Sequence, residues 1–273
     1  MDRLPRFKKP PVVETVLGIQ FKPLPGFGNW RLGAFFADLD QEQWPHVSEA
    51  PALRLQHEVF GDQRVIETGF RVEMVPQAPM RLKIQDRDRE RMMQVQNGRF
   101  HYNWLTTEQK RPYPSYREVR PEFDTAWQRY QAFLGQQDLG PVVPDQWEVT
   151  YLNHIPKGTV WETAADWSSL FRPLLGPADE LQIAKLENVS GDWRFEIQPQ
   201  RGRLHIELRQ GFLPDADRRE ILVLKLTARG PIEERGLSLG DGLNLGRETI
   251  VRTFWEITSE QAHEYWEFRD DRG

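Results

Sequence analysis

The sequence predicts an α+β protein made of two similar halves, each running strand, helix, antiparallel sheet, helix. Three observations carry this. Short segments whose apolar residues recur every second position, the mark of half-buried strands, dominate the chain. Between them, apolar residues fall at helical spacing in a few places behind residues suited to capping. The order of elements then repeats on either side of a stretch rich in Gly, Gln and Pro, from Gly135 to Pro144.

Val12 to Phe21 opens the first half as a strand, with Val13, Leu17, Ile19 and Phe21 on one side and Glu14, Gly18 and Gln20 on the other. Pro23 to Gly28 break the chain. Asn29 then caps a helix carrying Trp30, Ala34, Phe35 and Leu39, which ends near Trp44-Pro45. Alternating segments follow at Leu53 to Phe60, Glu67 to Val75, Met80 to Gln85, Arg91 to Gln96 and Arg99 to Trp104. Asn97-Gly98 between the last two has the chemistry of a two-residue hairpin turn, because both residues tolerate positive φ. Ser115 caps the next helix, whose apolar side is Tyr116, Val119, Phe123, Trp127, Tyr130 and Phe133 and which ends at Gly135; Pro121 in its early turns favours a later start.

The second half repeats the order. A strand at Trp147 to Ile155 is followed by a helix at Ala164 to Leu175 and strands at Leu181 to Val189, Trp193 to Gln198, Arg203 to Phe212 and Glu220 to Ala228. Helices at Leu243 to Ile257 and Ser259 to Phe268 close the chain. The expected division is therefore 1–138 and 139–273, packed as one unit. An open antiparallel sheet with its helices on one face, occurring twice, is similar to the tandem arrangement of the TATA-binding-protein-like fold. Trp104, Trp127, Trp147 and Trp255 lie on apolar stripes and are expected as core anchors.

Certain strings resemble a known family. Pro10-Pro11-Val12-Val13-Glu14 with Leu17-Gly18-Ile19-Gln20-Phe21, then Gln94-Val95-Gln96, Phe100, Asn103-Trp104 and Tyr113-Pro114-Ser115-Tyr116, stand in its order. So do Glu148-Val149-Thr150-Tyr151-Leu152-Asn153-His154-Ile155, Phe254-Trp255-Glu256-Ile257-Thr258 and Trp266. The family is an uncharacterised, sporadically distributed prokaryotic one, and the resemblance spans nearly the whole chain. It brings no catalytic or binding residues. Its patchy distribution implies a cargo gene of mobile-element or defence loci.

Composition narrows the chemistry. The absence of cysteine excludes disulfides, thiolate metal sites and cysteine nucleophiles, and fits a reducing cytoplasm. No apolar run approaches the length of a membrane span, and MDRLPRFKKPP lacks the apolar stretch of a secretory signal, so a cytoplasmic location is expected. Thirty-six Lys and Arg against forty-one Asp and Glu give a net charge of -5 and no general attraction to phosphate backbones. The basic cluster Arg3, Arg6, Lys8 and Lys9 reads as a solvated tail.

Phosphate loops, His-Glu-x-x-His, dinucleotide-binding glycine runs and calcium loops are missing from the sequence. Gly236-Leu237-Ser238-Leu239-Gly240 matches the nucleophile-elbow string, but that device requires a parallel sheet, and the strand pattern is antiparallel. Asp86, Asp88 and Glu90 alternate with Arg87, Arg89 and Arg91, which makes a charged hairpin tip a better reading than a metal site. The six histidines lack ligand spacing. No catalytic residue, metal or cofactor is expected.

One surface collects polar residues. If the apolar side of each strand meets the helices, the other side carries Glu14 and Gln20, then Gln94, Gln96, His101 and Asn103, and in the second half Glu148, Thr150 and His154. The candidate binding residues are Glu14, Gln94, Gln96, Asn103, Glu148 and His154. Such a face is a ligand or partner site, a wet sheet surface, or a hydrogen-bonded network fastening the halves. The expected function is a non-catalytic binding or interaction protein, a sensor or adaptor of a microbial mobile-element or defence locus. Its expected partner is another protein encoded nearby, with a small ligand as the second option; nucleic acid without a partner protein, and membrane, are not expected. The alternatives are a nucleic-acid binder using the open sheet face and a hydrolase with a carboxylate-based site.

Overall fold

The computed structural model of the chain describes residues 4–60, 78–107, 113–176, 186–197, 199–213, 217–232 and 237–269. The expected strand Glu67 to Val75, and most of Leu181 to Val189, lie outside these residues. In chain order the elements are β1 (Arg6–Phe7), β2 (Val12–Phe21), α1 (Trp30–Asp38), β3 (His46–Pro51), β4 (Met80–Gln85), β5 (Arg91–Gln96), β6 (Arg99–Leu105), α2 (Tyr116–Gly135) and β7 (Pro144–Pro156). A 3-10 turn at Ala164–Asp166 leads into α3 (Trp167–Leu170), followed by β8 (Gly191–Ile197), β9 (Gly202–Phe212), β10 (Glu220–Pro231), α4 (Leu239–Ile257), α5 (Glu260–Tyr265) and β11 (Phe268–Arg269).

Among the described residues nine strands form one open sheet in the order β3-β4-β5-β6-β2-β7-β10-β9-β8, and every neighbouring pair is antiparallel. β1 and β11 pair separately, tying the N-terminal arm to the end of the described chain. The α+β class is therefore as the sequence predicts. No described helix is long and apolar enough to cross a membrane.

Alternation sorts the strands into two faces. Leu17, Ile19 and Phe21 of β2, Phe100, Tyr102 and Trp104 of β6, Trp147 and Val149 of β7, and Leu222, Leu224 and Leu226 of β10 are buried in the core under the helices. α2 lays Phe123, Trp127 and Tyr130 on this side, and Phe100 meets Trp127 and Tyr130 with ring centroids 5.4 and 5.5 Å apart. α4 comes close enough to touch the sheet through glycine. A Cβ at Gly242 would fall 2.2 Å from Trp147 Cδ1, and one at Gly246 would fall 2.7 Å from Trp147 Cζ3.

Several sequence expectations are corrected. The core face of β2 carries Val12, not Val13, because the register shifts between Val12 and Glu14, and such a bulge moves one residue to the other face. α1 ends at Asp38, well short of Trp44, and Trp30 is 65% exposed while Leu32 and Phe35 take the buried stripe. The segment Ala164 to Leu175 is a 3-10 turn and a four-residue helix instead of a continuous one. α2 starts at Tyr116 despite Pro121. Glu118 accepts from the Ser115 backbone N–H at 3.1 Å, and an interior Pro costs roughly 3 kcal/mol. Each large apolar side chain buried contributes about 1.5–3 kcal/mol, and α2 buries eight residues, so packing wins. Trp104, Trp127 and Trp147 are buried anchors, whereas Trp255 is half-buried and stacks on His263 at 3.8 Å.

The segment Leu53 to Phe60 is not a strand. β3 lies before it, at His46–Pro51, and pairs with β4; residues 53–60 have no regular structure and cross the other face of the sheet.

Candidate functional site

The face away from the helices is polar, and strand register arranges it in rows. One row runs Gln96, Arg99, Gln20, Gln146 across β5, β6, β2 and β7. Each of these glutamines is buried and hydrogen-bonds the backbone of the crossing segment. Gln96 accepts from the Leu53 N–H and donates to the Leu53 carbonyl, both at 2.8 Å. Gln20 does the same at Gln56, at 2.8 and 2.9 Å. Gln146 accepts from the Glu58 N–H at 2.9 Å and donates to the Gln56 carbonyl at 2.5 Å, while Arg99 donates to the Arg54 carbonyl at 3.2 Å. The two strand steps of about 4.8 Å from Gln96 to Gln20 span about 10 Å, close to the ~10 Å that the three residues from Leu53 to Gln56 cover when extended. The amide ladder and an extended backbone are thus matched in pitch.

The Glu58 carboxylate ends the crossing in a cationic socket. It receives Arg203 Nη1, His205 Nε2 at 2.7 Å and Arg229 Nε at 2.5 Å. Burial opposes its ionisation, but hydrogen bonds from His205 and Arg229, together with their charges, hold its pKa down at about 2. A carboxyl whose folded pKa lies below its unfolded value of about 4.3 contributes stability above that value and loses it as pH falls toward the folded one. Urea unfolding of wild type and Glu58→Gln is therefore expected to differ by about 2–3 kcal/mol near neutral pH, the gap closing between about pH 5 and pH 2. A gap independent of pH would contradict this.

The neighbouring row runs Gln94, His101, Gly18, Glu148, Arg229, Arg203. Glu148 reaches Arg99 Nη2 at 3.2 Å, His101 Nε2 at 3.4 Å and Arg229 Nη1 at 3.7 Å, all in the buried floor. His101 and Glu148 stand on strands that flank β2, and they meet only because β2 has glycine between them. A Cβ at Gly18 would fall 2.7 Å from His101 Cδ2 and 3.3 Å from Glu148 Cβ. Burial opposes charge on Glu148, yet the His101 contact and the Arg99 and Arg229 charges hold its carboxyl well below the usual carboxylate range. Burial, opposed by the Glu148 carboxylate, lowers the His101 pKa.

A third set links four strands. Arg81 donates to Gln94 at 2.7 Å, Gln94 to Asn103 at 3.2 Å, and Asn103 to Glu14 at 2.5 Å. Between these groups and the crossing segment lies a cavity of about 430 Å³. Its floor includes Glu14, Asn103, Glu148 and the Thr150–Thr227 hydroxyl pair, its roof Leu53 and Gln56, and its far wall Arg194 and Lys225.

Of the six sequence-proposed site residues, Glu14, Gln94, Asn103 and Glu148 line this cavity, and Gln96 holds its roof. Glu14 and Glu148 do not meet: Glu14 lies opposite Leu152, and Glu148 opposite Gly18. His154, opposite Val223, is half-buried on the same face but outside the cavity, with its pKa lowered by burial. Glu58, Arg99, Gln146, Arg203, His205 and Arg229 are the residues that sequence reasoning missed. Their signal is long-range register, which puts residues from distant segments side by side.

The other motifs have structural uses. Ser238 of the elbow-like string caps α4, accepting from the Asp241 N–H at 3.1 Å. Asp86 closes the β4–β5 turn by accepting from the Arg91 N–H at 3.0 Å. Among the described residues no group of His, Asp and Glu is arranged to hold a metal ion. A scan against protein-family models finds no match to the chain, and neither does a search of the curated proteins.

Proposed function

We propose that this is a non-catalytic binding protein that engages another protein through the polar sheet face, serving as a cytoplasmic sensor or adaptor of a microbial mobile-element or defence locus. The observation that carries the reading is the ladder of Gln96, Gln20 and Gln146, whose amides are directed at a crossing backbone. Groups committed to backbone recognition are suited to holding a chain. The carboxylate chemistry of a hydrolase is less well supported, because Glu148 is held ionised between guanidinium groups, far from the pKa that general acid–base catalysis at neutral pH favours. A nucleic-acid surface is opposed by Glu14, Glu58, Glu148 and Glu207, which interleave with the cations of the face.

The strand order supports reading the chain as tandem halves, 1–138 and 139–273, in a TATA-binding-protein-like arrangement. β2 and β7, the opening strands of the two halves, pair at the centre of the sheet, and the remaining strands extend outward on each side. An open sheet of this kind presents one continuous face.

The test is affinity capture from the native host with mass spectrometry, comparing wild type with an Arg194→Glu/Lys225→Glu chain. These residues stand at the cavity wall with exposed or half-exposed side chains. Loss of the captured protein with an unchanged melting temperature is expected. Equal capture by both chains would contradict the proposal.

A further inference from the structure

We infer that the polar face is a receptor for an extended acidic peptide segment of the partner protein, and that residues 53–58 occupy it as a resident mimic. This rests on the binding reading above and gives its ligand class. The receptor has two parts. Gln96, Gln20 and Gln146 recognise backbone N–H and carbonyl groups, which any sequence supplies, at a spacing that fits extended chain. Arg203, His205 and Arg229 then select a carboxylate at one end, since their donors converge on both oxygens of Glu58.

The resident segment is held mainly by these contacts, helped by Arg99 on the Arg54 carbonyl and Arg229 on the Gln56 side chain, and among the described residues no strand pairs with it. Its apolar anchoring is slight: Leu53 and Leu55 are half-buried, and Arg54, Gln56 and His57 are exposed. A segment attached this way is exchangeable. A partner strand offering the same backbone groups and an acid in the socket replaces it without loss of any sheet contact. The roof of the charged cavity, which Leu53 and Gln56 provide, moves with it.

The experiment uses a fluorescent peptide of the sequence Pro51 to Phe60, titrated into full-length wild type, Glu58→Gln and Leu55→Ser chains and followed by anisotropy. Tethering gives the resident segment an effective concentration of order mM, so wild type is expected to bind the peptide only weakly. Both variants loosen the segment, one at each end, and either one suffices if the other fails to fold. Each is expected to bind the peptide at least about tenfold more tightly than wild type. A peptide carrying Gln in place of the acid is expected to lose about tenfold or more in affinity. Binding to the folded variants no stronger than to wild type, or no stronger than that of a reversed-sequence peptide, overturns the inference. If host capture still depends on Arg194 and Lys225 in that event, the peptide class is rejected while the binding reading stands.

Discussion

Replacing Glu148 by Ala is expected to destabilise the protein by about 3–5 kcal/mol, the cost of leaving buried charge unpaired. Arg99 and Glu148 are almost fully buried side chains 3.2 Å apart. Without the carboxylate, Arg99 keeps its bond to the Arg54 carbonyl, and Arg229 retains Glu58. Glu148→Gln keeps the shape and one acceptor but removes the charge, so most of the same loss is expected. Denaturant midpoints measure both. A Glu148→Ala chain as stable as wild type would mean that Glu148 is merely solvated and is no part of a buried ion cluster with Arg99.

Trp147→Ala is expected to cost at least about 3–5 kcal/mol, at the upper end of that range. Trp147 is fully buried, and backbone at Gly202, Gly230, Gly242 and Gly246 lies against its ring. Collapse into the space would require β9, β10 and α4 all to move, so the cavity remains and its cost with it. Trp147→Phe should be much milder. It keeps an aromatic ring in the slot and removes an indole N–H that is buried without a hydrogen-bond partner. Equal melting temperatures for the Ala and Phe variants would contradict this packing.

What was legible in the sequence was what local pattern determines. β2, β4, β5, β6, α2 and β10 each follow from apolar period and capping residues, and Asn97-Gly98 makes the turn between β5 and β6, although only Gly98 takes positive φ, at 85°. The polar face was legible too, since alternation alone places Glu14, Gln94, Asn103 and Glu148 there. Two kinds of information were out of reach. The alternation of Leu53 to Phe60 marks extended chain, but the pattern is silent on what satisfies its backbone, and here side chains do so in place of a neighbouring strand. The socket around Glu58 needs Arg203, His205 and Arg229 from β9 and β10, well over a hundred residues away, and only tertiary register brings them together. The bulge that moved Val12 into the core belongs to the same class, because it is set by pairing with β7.

Both the binding reading and its peptide form depend on the grip of the polar face on backbone, and amide hydrogen exchange reads that grip residue by residue. In wild type the N–H groups of Leu53, Gln56 and Glu58, accepted by Gln96, Gln20 and Gln146, are expected to be protected, while those of Arg54 and His57 exchange faster. In a Gln146→Ala chain the Glu58 amide should lose its protection, with the β2 and β7 amides unchanged. Exchange of Leu53, Gln56 and Glu58 at the rate of free peptide in the wild-type protein would contradict the account.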